Sequence, residues 1–450
     1  MPETGLARRA QSWTAYAPTV VRRQGRYNHT NANPPPWRPA TVLDEWVQRE
    51  ARPISLRQLT FFGRTLTEAR LLGSANYVRT ELPLRIAHRL RDMQSLPYVV
   101  VTNPHLSHVY ELYYKAFECF HKIPEIQSVE DNDRYCEILT SMLNEHLTVI
   151  PRLQMGVLEI QGLMKPDETD KLMTTLLRSR ISRRVIAQQH LALTDTFHSP
   201  WYFPNAKNTI EGPDDLVGEV LLHCNAKETV EKCANTITAL MQSTYGHTRL
   251  PEIKLLGHLG ATFPYIPSIL EYIIGELLRN SVQATVEQRP RNTSPIPPIH
   301  VTICEAEQHV IIRISDQGGG VSREILPYLW SFSKGPRKQM RLENLNKVPR
   351  MAATMQELSV NSETKQGIGC GTNGPDFNTG SEHSLSTLTS RPPDLRLGMG
   401  LPISRLYAEY WAGSLELHSL EGYGVDAFLQ IPKLGNKNEQ LATRASIDAV

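Results

Sequence analysis

The spacing of apolar residues changes near residue 200, and that change constrains the fold more than any single motif. From Ile54 to about His198 apolar side chains recur at helical intervals, whereas beyond Pro213 short strand-like runs alternate with helical ones. In the first part, Leu56, Leu59, Phe62, Leu66, Ala69 and Leu72 mark one amphipathic stripe, with Ser55 placed to cap its start. A second stripe covers 106–120 between Pro104 and Pro124, a third 136–149 and a long fourth 169–193. Long helices with short connections predict an antiparallel bundle of the four-helix type over 54–200. Most residues on those stripes are core and carry no chemistry. A Pro/Gly/Asn-rich linker at 201–213 ends that part. Beyond it, 299–304 with 310–314 and 415–417 with 427–431 predict two strand pairs, and helical runs at 217–241, 269–288 and 403–411 alternate with them. A mixed sheet covered on one side by helices, an α/β sandwich, is expected over 214–432, with 433–450 as a tail.

Bulk composition excludes several classes. The chain has 450 residues, which suggests two to three domains, and 48 Lys+Arg oppose 46 Asp+Glu, so no nucleic-acid partner is expected from net charge. The six cysteines are never spaced as CxxC and read as reduced, mostly buried thiols. No apolar run approaches the roughly 20 residues of a membrane span, so no membrane insertion is expected. Up to Ala40 the only acid is Glu3, against Arg8, Arg9, Arg22, Arg23, Arg26 and Arg38. Such an end resembles a mitochondrial transit peptide, and a plain basic tail reads the same way. Prolines 34, 35 and 36 close it, and little structure is expected before about residue 50. At about 335–394 apolar content falls, which predicts a mobile insertion. Its Gly369-Cys370-Gly371-Thr372-Asn373-Gly374 matches GxGxxG, but no strand precedes it, and the match is read as accidental.

Three stretches carry chemistry. Glu276 and Asn280 stand four apart on an apolar helix, so they project from one face. A carboxylate can take a proton from a hydroxyl and an amide oxygen can ligate Mg²⁺, although a solvated helix edge would look alike. Asp316 ends an apolar strand and runs into Gly318-Gly319-Gly320. A carboxylate there can accept from the amine of adenine, with bare backbone letting the ring approach; a hairpin turn is the plain alternative. Gly398-Met399-Gly400-Leu401-Pro402 then opens a helix whose free amides attract phosphate. The pair Gly-Lys of a Walker loop occurs nowhere. The order of these pieces, closed by Gly422 and Gly424 before the last strand, describes an ATP-dependent phosphotransferase.

With those residues in hand, the chain resembles the GHKL group of ATPases and kinases, and within it the mitochondrial 2-oxoacid dehydrogenase kinases. Glu81-Leu82-Pro83-Leu84-Arg85, Ser179-Arg180-Ile181-Ser182 and Leu401-Pro402-Ile403-Ser404-Arg405 resemble stretches particular to that family. The resemblance implies a Bergerat-type ATP domain behind the bundle, with ATP and Mg²⁺ as cofactors. It also implies a mitochondrial matrix address, a homodimer, and two partners: the dehydrogenase component and the lipoyl-bearing acyltransferase core. By position, Glu276 resembles the general base, Asn280 the magnesium ligand and Asp316 the adenine anchor. Gln283, Gly318, Gly320, Gly398, Met399, Gly400 and Leu401 resemble further nucleotide contacts, and Ser333 and Lys334 lie where the lid over the nucleotide begins. Departures are Tyr272 where pyruvate-type members usually carry histidine, Arg396 for the first glycine of the second motif, and Val425 for a threonine. The Asp-Trp pair of pyruvate-type tails is absent, yet 146–151 and 156–159 look pyruvate-like, so both complexes stay open as targets. A histidine autokinase, with His190 as the nearest acceptor, and an ATP-binding scaffold without transfer activity are the rival readings.

Overall fold

In the computed structural model, residues 41–63, 65–199, 216–246, 249–288, 296–347 and 396–441 are described. The helical part comprises α1 (Thr41–Val47), α2 (Leu56–Gly63), α3 (Glu68–Gln94), α4 (Tyr98–Val101), α5 (Pro104–Phe120), α6 (Val129–Glu145), α7 (Val149–Glu159) and α8 (Pro166–His198). Local chemistry sets most of these boundaries. Ser55 Oγ accepts from the amide of Gln58 at 3.2 Å and so caps α2 as expected. The stripe from Leu56 to Leu72 is two helices, not one, because Thr67 caps a new start by accepting from the Arg70 amide. Asn103 and Ser128 cap α5 and α6 in the same way, which starts α6 ahead of the expected 136. The long helices α3, α5, α6 and α8, joined by α7, bury Val78, Tyr113, Phe117, Leu153 and Met173 between them. Little structure was expected before residue 50; instead α1 packs on α3 and buries Leu43.

The second part comprises β1 (Leu216–Val217), β2 (Val220–Asn225), α9 (Ala226–Tyr245), β3 (Ile253–Gly257), β4 (Thr262–Tyr265), α10 (Pro267–Glu287), β5 (Ile299–Glu305), β6 (His309–Asp316), α11 (Lys338–Lys347), α12 (Gly400–Tyr410), β7 (Ser414–Leu420) and β8 (Gly424–Pro432). The helix expected from 217 begins only at Ala226, where Asn225 Oδ1 accepts from the Lys227 amide at 2.9 Å. The residues before it form β2 in a small sheet ordered β1-β2-β4. The main sheet runs β3-β5-β6-β8-β7, with β3 parallel to β5 and every other pair antiparallel. Alternate residues Val301, Ile303, Ile312, Ile314 and Leu429 are buried, and α10 and α12 pack on the sheet. This is the expected α/β sandwich behind a helical bundle.

Two segments differ from expectation. The insertion at about 335–394 begins as a helix, α11, which packs on α7 and buries Leu345. The tail is pinned into the bundle through Glu439, whose Oε1 lies 2.8 Å from Arg85 Nη2. The arginine-rich start, the linker at 201–213 and the GxGxxG match lie outside the described residues. Among the described cysteines, Cys224 and Cys233 are buried, but Cys119 and Cys304 are exposed, so the expectation of mostly buried thiols holds only in part. Among the described residues no helix is long and apolar enough to cross a membrane.

Candidate nucleotide and active site

Helix α10 carries the reactive edge. It buries Ile273, Ile274, Leu277 and Leu278 in the core and turns Glu276 and Asn280 to one wall of a cavity of about 630 Å³. That size falls in the range of small-molecule sites. Glu276 is fully buried, with Oε1 3.6 Å from Arg279 Nη1, while Asn280 is half-buried. One turn before Glu276, Tyr272 is buried with its ring against Tyr407.

The turn after β6 forms the second wall. Asp316 Oδ2 accepts from Ser281 Oγ at 2.8 Å and Oδ1 from the Gly318 amide at 2.9 Å. Burial raises the Asp316 pKa, while the amides of Gly318 and Val425 and the Ser281 hydroxyl pull the other way. The missing threonine at 425 thus leaves a backbone donor in place, since Val425 is paired in register with Asp316. Gly318 lies so close to α10 that a Cβ would stand 2.6 Å from Ala284 Cβ and 2.9 Å from the backbone of Thr285. Gly320 has φ +74°. The Gly318→Ala variant is therefore expected to push the turn off α10 and weaken ATP binding at least tenfold, read by titration calorimetry; unchanged affinity would remove this turn from the site.

The third wall is the start of α12. Gly398 has φ +72°, and Gly398, Gly400 and Leu401 line the cavity with Gln283, Gly318 and Gly320. Asp316 and Met399 stand behind the lining, both nearly fully buried. Ser333 and Lys334 do not line it. The amides of Phe332 and Ser333 donate to Asp170 Oδ1 at 3.0 and 2.9 Å, and Lys334 pairs with Asp167, so this strap is docked on the start of α8. The cavity also takes in Arg279, Arg337 and Arg341, which the motif reading passed over, and Arg396, which it noted only as a departure. Arg279, at i+3 from Glu276, was visible as a pairing candidate. Arg396 pairs with Glu287, which in turn accepts from Gln283 Nε2 at 2.8 Å. Arg337 and Arg341 come from the composition-poor insertion and carried no periodic signal. His190 is fully buried, with Nδ1 3.1 Å from Ser74 Oγ and its pKa lowered by burial to about 4, which does not suit an exposed phosphate acceptor.

Residues 53–221 match the family model described as mitochondrial branched-chain alpha-ketoacid dehydrogenase kinase. Residues 266–435 match that of the histidine kinase-, DNA gyrase B- and HSP90-like ATPases. Over 424 residues the chain is 34% identical to mitochondrial pyruvate dehydrogenase (acetyl-transferring) kinase 2 of Saccharomyces cerevisiae, covering 88% of this chain and 84% of that one. The chain belongs to the mitochondrial 2-oxoacid dehydrogenase kinase family. The mitochondrial pyruvate dehydrogenase kinase of Arabidopsis thaliana is 28% identical over 406 residues, 89% of this chain and 95% of that one. Isozyme 4 of Homo sapiens is 25% identical over 412 residues, 88% and 85% of the two chains. The helices that line the cavity in this kinase, α10, α11 and α12, all fall inside the ATPase match.

Proposed function

We propose that this protein is an ATP-dependent serine kinase that phosphorylates, and so inactivates, the dehydrogenase component of a mitochondrial 2-oxoacid dehydrogenase complex. The observation that carries the reading is the shared wall of α10: Glu276 and Asn280 face one cavity whose other walls are the two glycine turns. ATP fits those walls. Positive-φ glycines leave bare backbone at Gly320 and Gly398, and α12 begins at the cavity with its amides unspent on side-chain caps. Among the described residues no cluster of three His, Cys, Asp or Glu could hold a metal. A metal here would take the Asn280 amide oxygen together with phosphate oxygens, a donor set that suits Mg²⁺. When bound, Mg²⁺ neutralises charge on the triphosphate. Asp316 is held by Ser281 and Gly318 in place to meet adenine through the bare turn. Glu276 takes the proton from the attacking serine hydroxyl, and Arg279 beside it holds the carboxylate.

The arginine-rich start supports a matrix address, and the curated relatives are named mitochondrial. Docking through the lipoyl-bearing acyltransferase core and a homodimeric state belong to the same reading. Pyruvate dehydrogenase is the first target to test, since the full-length relatives are named for it. Purified protein incubated with labelled ATP and each complex in parallel should label the dehydrogenase component of one of them and lower its activity. Label on neither complex would sink the reading; acid-labile label on the kinase itself would move it to an autokinase.

A further inference from the structure

The wall that α11 adds to the cavity has no part in the chemistry above. Arg341 is half-buried there, and its Nη1 donates to the carbonyls of Lys334 at 3.3 Å and Phe332 at 3.5 Å. It packs directly on the glycine turn before α12, where a Cβ on Gly398 would stand 2.4 Å from Arg341 Nε. Asn344, one turn on, donates to the Arg396 carbonyl at 3.1 Å and ties α11 to the same turn. Arg337 lines the cavity beside Arg341.

Among the described residues, the arginines of this cavity are not all matched by carboxylates. Arg279 and Arg396 have carboxylates in Glu276 and Glu287. The carboxylate that acts on Arg341 is Asp170, whose oxygens are already taken by the Phe332 and Ser333 amides and the Ser331 hydroxyl. Burial and then Arg337 both lower the Arg341 pKa, so a half-buried cation faces an exposed like charge on the same wall. An anion placed between the two relieves that repulsion. Both protein contacts of Arg341 run through Nη1, and among the described residues Nε and Nη2 meet no acceptor. That edge of a guanidinium is the one that grips a phosphate with two parallel bonds.

We infer that Arg341, with Arg337 beside it, binds the phosphate groups of the nucleotide against the Gly398 turn. The inference rests on the ATP-site reading and adds a residue from the insertion to it. Because the carbonyls that hold Arg341 belong to the strap pinned by Asp170, this phosphate contact is built on the helical bundle as well as on the ATP domain.

The test is titration calorimetry on the full chain with Mg²⁺ and either ATP or adenosine. Arg341→Ala should weaken ATP binding roughly tenfold or more, the size of a charge-assisted contact, and leave adenosine within about twofold. Arg341→Lys should fall between, keeping the charge but not the fork. If ATP and adenosine weaken by the same factor, Arg341 only props the turn and the inference fails. It also fails if ATP affinity does not move. Binding of ATP by the parent is the control: without it, the nucleotide reading fails first. Should the alanine variant melt early, Arg341→Gln, which retains a donor for the two carbonyls, gives the same comparison.

Discussion

Replacing Glu276 with glutamine is expected to slow phosphoryl transfer by roughly 10²–10⁴-fold, the range of a positioned general base, while ATP still binds. The substitution keeps the size and one acceptor oxygen, so Arg279 at 3.6 Å does not lose all support. What it removes is the basic oxygen, and glutamine cannot take the serine proton. The nucleotide contacts proposed above lie on the two glycine turns, Asn280 and the wall of α11, which line the same cavity without including the exchanged atom. Single-turnover phosphorylation of the dehydrogenase component, paired with calorimetric ATP titration, separates the two effects. A Glu276→Gln variant that transfers phosphate at the parent rate would remove Glu276 from the mechanism. Loss of ATP binding alongside transfer would instead assign it a structural part.

The second large effect is expected at residues that do not line the cavity. Arg85 is buried, with Nε 3.2 Å from Glu81 and Nη2 2.8 Å from Glu439, and it donates to Ser182 Oγ and to the Arg52 carbonyl. Glu439 in turn receives the Ile54 amide and the Tyr410 hydroxyl. Arg85→Ala leaves the buried carboxylates of Glu81 and Glu439 without their shared cation, and among the described residues the ion pair that remains is that of Glu81 with the largely exposed Arg52. Breaking a buried pair in this way costs about 3–5 kcal/mol, because the remaining charges stay desolvated. Urea unfolding followed by circular dichroism should show that loss. A midpoint shift worth less than about 1 kcal/mol would mean that water reaches the pair and the tail is not pinned.

How much of this was legible depends on the range of the interaction. Thr67, Asn103, Ser128 and Asn225 start helices by accepting from amides two or three residues on. Such caps can be read from the chain, and the misplaced boundaries came from letting apolar spacing override them. Edge strands gave less signal. β3 pairs in parallel with β5 across more than forty residues and exposes three of its five residues, Leu256 among them, so its sequence lacks the apolar–polar alternation that marked β5 and β6. At the site, the Glu276–Asn280 spacing, the Asp316 turn and the Gly398 turn were all readable, and the structure brings their three elements around one cavity. Ser333 and Lys334 were placed by resemblance alone, and their docking partners Asp170 and Asp167 lie in the other half of the chain.

By itself the sequence determined the family, the division into bundle and α/β sandwich, and the side chains of the reactive edge, because those depend on residue type at short, fixed spacing. Only the tertiary structure decided that Arg341 faces the glycine turn, that Asp170 holds the strap, and that Glu439 closes the tail onto Arg85. Each of those contacts joins residues whose separation along the chain carries no geometric information, so packing and charge compensation, not periodicity, selected them.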